Sequence, residues 1–240
     1  MMAGQRSSFI ATLAILLLSF VCSTQARRIK RVDQELSARN KPMDLSKFQV
    51  PLSNGSATLP SPTAGLSLKA ITLGRGTQNY TCAAGSTAAP VAIGAKANLL
   101  DVSSLLPLIP SPQKAQTILN LLPQYLVSFD FSVIQNASIP ILGKHIFDAT
   151  GVPVFNLGAK GVLRAKKVAG IAAPKTASKG ANGQGDGAVD WLALTEVAGS
   201  VGLKEVYRVE TAGGKAPASC GGGPARNIEV QYASQYWFFG

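Results

Sequence analysis

A single histidine, His145, serves the whole 240-residue chain. That excludes an HExxH zinc site, a Cys2His2 zinc site and any two-histidine metal centre, because each needs at least two imidazole ligands. Acids are scarce as well, with 12 Asp and Glu against 23 Lys and Arg. A carboxylate pair for glycoside hydrolysis meets in space rather than in sequence, and no spacing here singles one out. There is no GxSxG elbow: Ala198-Gly199-Ser200-Val201-Gly202 lacks the first glycine. There is no Walker loop. The string NGQGDG, from Asn182 to Gly187, has the wrong glycine spacing for a dinucleotide turn. With Asp186 and Asp190 it loosely resembles a calcium-loop ladder, but it lacks the closing bidentate Glu. No metal and no cofactor is expected.

Long apolar runs are also missing, with one exception at the N-terminus. Phe9 to Cys22 is apolar apart from Thr12 and Ser19, and Arg6 precedes it. This matches a signal-peptide core and falls short of the ~20 residues that span a bilayer. Thr24 and Ala26 suit the −3 and −1 positions of a cleavage site, so residues 1–26 read as a signal peptide and the protein as secreted, with no stable membrane anchor. Arg27-Arg28-Ile29-Lys30-Arg31 follows, and its place directly behind the signal peptide suits a processing protease with acidic subsites. Arg6 and these basic residues carry much of the +11 net charge. What remains is moderately basic. It fits adhesion to an acidic polysaccharide or cell surface, and is too scattered for nucleic acid. Its densest cluster, Arg164-Ala165-Lys166-Lys167, reads as a solvated loop or edge strand.

Of three cysteines, Cys22 leaves with the signal peptide and Cys82 and Cys220 remain. An even pair in an oxidising compartment suggests a disulfide, the alternative being two buried thiols. Residues 32–64 form an arm rich in Pro, Ser, Gly and Asn, whose Leu45, Phe48, Val50 and Leu52 could lie along the domain. Residues 65–240 read as one mainly β domain, an antiparallel sandwich or barrel of short strands separated by Gly, Pro, Asn and Asp. YLVSFDFSVI, from Tyr125, alternates like a strand. Gly74-Arg75-Gly76 reads as a turn, with Thr77 to Cys82 a strand that points Gln78, Tyr80 and Cys82 one way and Asn79 the other. A short helical insert around 99–125 departs from this pattern. Its leucines recur at helical spacing, Asp101 and Ser111 are candidate caps, Pro112 suits a first turn, and Pro123 would end it.

Candidate functional residues are few. His145 and Asp148 could form a base–orienter pair, although a locally hydrogen-bonded histidine explains the pattern as well. Trp191, Tyr236 and Trp237 could stack on a sugar, although alternation on the last strand makes them core first. Asn54, Asn79 and Asn136 head glycosylation sequons.

Taken in order, GRGTQNYTC, GKHIFD, VDWLALTEV, VYRVETAGGKAPASC and VQYASQYWFFG resemble an uncharacterised family of secreted proteins, a domain of unknown function common in filamentous fungi with bacterial relatives. The resemblance covers about residues 65–240. It implies that Cys82 pairs with Cys220. Fungal members often carry a transferred malate dehydrogenase label, for which this chain offers no Rossmann fingerprint. It departs from the bacterial pattern in the Leu/Pro insert at 99–123 and in Ile146, where an aromatic is expected. The function expected is a non-catalytic extracellular binding or surface-associated protein. The alternative is a hydrolase-type enzyme using His145 and an acid. The oligomeric state is open.

Overall fold

Fifteen residues, Leu68–Cys82, run as one strand, β1, straight through the glycines expected to turn. A Cβ on Gly74 would lie 2.3 Å from the Tyr236 ring, and one on Gly76 would lie 1.8 Å from the Lys96 carbonyl oxygen. These glycines therefore serve close approach rather than reversal. The computed structural model describes residues 44–240 apart from 104–105, 107–108, 110, 130–138 and 181–185. The expected signal peptide, the basic run, the start of the arm, most of NGQGDG and the Asn136 sequon lie outside the described residues.

Seven strands follow: β2 Val91–Asp101, β3 Ile141–Phe147, β4 Pro153–Asn156, β5 Val162–Ile171, β6 Trp191–Glu196, β7 Glu205–Gly213 and β8 Arg226–Phe239. Each pairs antiparallel with the next, and β8 returns to β1, which closes the barrel. Of the two architectures expected, the barrel is the one formed. The Arg164–Lys167 cluster lies within β5 and is not a loop; Arg164 pairs with Val154 of β4, whereas exposed Lys166 and Lys167 pair with β6 alone. Strands β2, β3 and β5 were not anticipated as such, and the end of β2 was read as helix. Leu99 faces the barrel interior while Leu100 joins the outer cluster. A strand buried on both faces loses its alternation and reads as a short apolar run that periodicity cannot assign.

Helix α1, Pro112–Leu126, follows β2. Ser111 caps it by accepting from the Lys114 N–H at 3.2 Å, with Pro112 in the first turn, where no N–H is missed. Pro123 lies inside the helix and does not end it. Its missing N–H would leave the Leu119 carbonyl unpaired, and Gln235 of β8 supplies the bond, Nε2 to O at 2.8 Å. The strand expected from Tyr125 is not found in its described part. Tyr125 and Leu126 finish the helix, residues 127–129 turn, and residues 130–134 lie outside the described residues. Arg75, on the outer face of β1, secures this end by donating to the carbonyls of Leu126, Val127 and Phe129 at 3.2 to 3.3 Å.

Two apolar clusters share the barrel wall. Inside lie Ala70, Leu99, Phe155, Leu163, Val206 and Phe238 with their neighbours. Outside, Ile71, Leu73, Trp191, Tyr207, Val209 and Trp237 are covered by α1 and by the arm. The arm lies along the barrel as its apolar residues allow: Leu45, Phe48, Val50 and Leu52 pack on the outer cluster, and Leu59 is fully buried in it. Thr63 ties the arm down through its N–H and hydroxyl to the Glu205 carboxylate.

Cys82, at the end of β1, is bonded to Cys220, with Cα atoms 5.7 Å apart and 138 residues between them in sequence. Tyr80 and Cys82 are buried, while Asn79 and Thr81 are half-exposed, as the alternation required.

Two stability outcomes follow. Gly76→Ala drives a methyl group into the β2 backbone and should lower the unfolding free energy by on the order of 3 kcal/mol in a urea titration. A chain beginning at Pro62 should melt well below one beginning at Asp44, since loss of Leu59 alone removes roughly 2 kcal/mol of burial. Equal melting temperatures would show that the arm contributes no stability.

Candidate functional site

The barrel interior is filled with side chains, and among its buried polar groups Thr72 Oγ1, Gln78 Nε2 and Ser234 Oγ have no hydrogen-bond partner among the described residues. The Tyr232 and Tyr236 hydroxyls share a hydrogen bond of 2.8 Å beside Ser234, and both rings are fully buried. His145 points inward from β3 with 3% of its surface exposed. Its ring stacks on Phe155 at 4.1 Å, and its Nδ1 faces the Val154 carbonyl at 3.1 Å, which fixes the proton on that nitrogen. Burial, with a smaller repulsion from Arg208, holds its pKa down at about 4. Arg208 itself was not anticipated as an inward group. It shares the inward parity of Val206 on β7 and donates Nε and Nη2 to the Asp190 carbonyl.

Asp148 does not orient His145. It closes the β3–β4 turn, accepting from Thr150 N, Thr150 Oγ1 and Val152 N, and pairs with Arg164 Nη2 at 2.7 Å. The Thr150 hydroxyl, the turn amides and Arg164 hold its pKa down at about 2. The two candidates for acid–base work are thus separately committed to structure.

The proposed stacking platform is also dispersed. Trp191, Tyr236 and Trp237 are each at most 1% exposed. Tyr236 belongs to the inner cluster, and Trp191 and Trp237 to the outer one. Strand alternation sends adjacent residues to opposite faces, so the aromatic run at the C-terminus seals two cores and offers no ligand a surface. Among the sequons, Asn54 is tied into its own turn, its Oδ1 accepting from Ser56 and Ala57 while its Nδ2 donates to Ala172 O. Asn79 sits half-buried on the outer face of β1 and accepts from Thr77 Oγ1.

Among the described residues, what remains open to a ligand is the part of the barrel wall that neither α1 nor the arm covers. A groove of about 350 Å³ lies there, over β1, β2 and β3. Antiparallel register builds it. Thr77 pairs with Lys96, Asn98 pairs with Arg75 on one side and Lys144 on the other, and Gln231 of β8 pairs with Thr77. These side chains share the outer face, so Gly76, Ala97 and His145, of opposite parity, contribute to the floor. Lys96 is ion-paired to Glu229 at 2.8 Å with both groups more than half exposed. Lys144 is exposed and makes no ion pair among the described residues. Exposed Ile146 completes the rim. Only register could have located this groove, because its residues come from four strands and form no sequence motif.

The chain belongs to a family of proteins of unknown function, DUF3455, whose model matches residues 62–240. No curated protein and no solved structure matches it. The DUF3455 domain begins inside the arm, so buried Leu59 lies outside the family match while completing the outer cluster of the domain.

One further residue carries strain. Glu210 sits at the β7 bulge with φ 47°, a left-handed conformation unusual for a side chain with a Cβ. Burial pushes its pKa up to about 7. His145 and Glu210 therefore oppose one another in pH dependence. Buried His145 is neutral, whereas the unfolded chain takes a proton near pH 6.5. Its contribution is whole above that pH and falls away toward pH 4, by roughly 3 kcal/mol at the limit. Protonated Glu210 suits the fold, so its contribution is whole below about pH 4.5 and is lost as pH rises through 7. His145→Asn keeps a donor for Val154 and should flatten the acid limb of a plot of melting temperature against pH. Glu210→Gln should raise the melting temperature at pH 8 and leave it unchanged at pH 4.5.

Proposed function

We propose that this DUF3455 protein is a secreted, non-catalytic binding protein that holds a cell-wall or cell-surface polysaccharide in the groove over β1, β2 and β3. The observation that carries the reading is the groove itself, an open trough on the uncovered wall lined by hydroxyl, amide and ammonium groups from Thr77, Asn98, Gln231, Lys96 and Lys144. Sugar hydroxyls both donate and accept, demands these groups meet, while the larger apolar share of the lining suits the C–H faces of sugar rings. An open trough also lets a polymer pass through, which an enclosed cavity does not. The N-terminal signal sequence and the Cys82–Cys220 disulfide fit an oxidising extracellular setting.

The alternative, a hydrolase-type enzyme, has one feature in its favour: His145 contributes to the groove floor. Its Nδ1 is occupied, its ring is sandwiched in the aromatic core, and its lowered pKa leaves a weak base.

Co-sedimentation of the secreted protein with insoluble wall polysaccharides tests the reading. The wild-type protein should pellet with at least one of them. Thr77→Trp, which fills the groove without altering charge, should stay in the supernatant. Pelleting unaffected by Thr77→Trp would remove the groove from the account. Release of reducing ends that disappears in His145→Asn would instead favour the enzyme.

A further inference from the structure

The groove's lining separates into two kinds of group, and their arrangement specifies a charge pattern in the ligand. Ala97 pairs with His145 and Asn98 with Lys144, so Lys96 stands across from Ile146 and diagonally across from Lys144. Diagonal neighbours on one sheet face lie about 7–8 Å apart at their Cα atoms. The two lysines therefore stand on adjacent strands of the same face, with the Lys96 ammonium turned across β1 toward Glu229 and able to swing back toward Lys144 once released. Around them are neutral hydrogen-bonding groups: Thr77 beside Lys96, Asn98 beside Lys144, and Gln231 beyond Thr77. Arg75 also lines the groove, but its guanidinium is committed to the carbonyls at the end of α1 and to Gln231.

Among the described residues, Glu229 is the acid at this rim that engages a groove cation. It is on the outer face of β8, next to the groove rather than in it, and its carboxylate holds Lys96 at 2.8 Å. Both partners are exposed, so the pair is weak and exchangeable. A carboxylate arriving in the groove can replace Glu229 on Lys96 at little cost, while Lys144 needs no release.

Resting on the reading of the groove as a polysaccharide site, we propose that its ligand is a polyuronate. Carboxylates on neighbouring sugars would meet Lys96 and Lys144, and their hydroxyls would meet Thr77, Asn98 and Gln231. Glu229 acts as an internal competitor that sets the affinity. Two cations among neutral amides and a hydroxyl suit a polymer with one charge per sugar and several hydroxyls. A nucleic acid strand would call for aromatic faces on which bases stack, and the exposed rim here offers Ile146 and no exposed aromatic ring in the groove.

The test is calorimetric titration of the secreted protein with oligogalacturonate, with the same oligomer fully methyl-esterified, and with a neutral glucan oligomer. Oligogalacturonate should bind and the methyl ester should not, because esterification removes the charge and keeps the chain. Lys96→Glu and Lys144→Glu should each weaken binding by roughly tenfold. Glu229→Gln should tighten it, and added salt should weaken it. Equal affinity for the acid and its ester, or a loss of affinity in Glu229→Gln, would overturn the inference. Binding of the neutral glucan alone, abolished by Thr77→Trp and indifferent to the lysine variants, would sink the polyuronate and leave the groove as a polysaccharide site. Absence of binding to all three would count against both.

Discussion

The barrel depends on how closely β1 can approach its surroundings on the inside. Strands β1 and β8 are its longest, and their ladder is the seam that closes it. Tyr236, on β8, lays its ring over Gly74, and the β2 backbone comes up against Gly76. Side chains at either position would hold these groups apart. The Tyr232–Tyr236 hydroxyl pair then spans small Ser234, and Phe155 fills the space beside Tyr236 and Phe238. Large rings on one strand and hydrogen atoms on the other give a small barrel a packed interior.

The outer wall is asymmetric, and the asymmetry follows from a few polar contacts. Gln235 of β8 holds three partners: its amide N–H groups serve the Leu119 carbonyl exposed by Pro123 and the Asn120 Oδ1, while its oxygen accepts from Trp237 Nε1 at 2.7 Å. Arg75 secures the far end of the same helix. Together they fix α1 over β7, β8 and β1, and the arm extends the cover. The groove lies beside this cover, over β1, β2 and β3 with Gln231 of β8. Its location is thus a consequence of where the helix is fastened.

The sequence made some of this legible and hid the rest for identifiable reasons. Class, the strands β4, β6, β7 and β8, the Ser111 cap, the inward Tyr80 and the disulfide could be read because each rests on local alternation, local capping or cysteine count. Gly74 and Gly76 misled because a glycine allows both reversal and close approach, and only the partner Tyr236 distinguishes them. Pro123 misled because its rescue comes from Gln235, more than a hundred residues away. The end of α1 misled because Val127 and Phe129 are apolar for packing under tertiary neighbours and imitate strand alternation. His145 was rightly noticed as singular, but its surroundings, Phe155 and the Val154 carbonyl, follow only from the β3–β4 register. Lys96 and Lys144 carry no signal at all until β2 and β3 are aligned.

The Cys82–Cys220 bond has a consequence for how the protein meets a protease. Every loop from β2 to β7 lies between those two cysteines, so a protease that cut any one of them would produce two fragments still joined through sulfur. Ser67 and Gly240 also exchange both backbone hydrogen bonds, which holds the two ends of the domain together independently of the bridge. A nicked molecule therefore keeps its seam and all its strands, and a cut in a surface loop changes connectivity without dismantling the barrel. Durability under proteolytic attack is in this sense a property of the closed topology, with the covalent bond as its clasp.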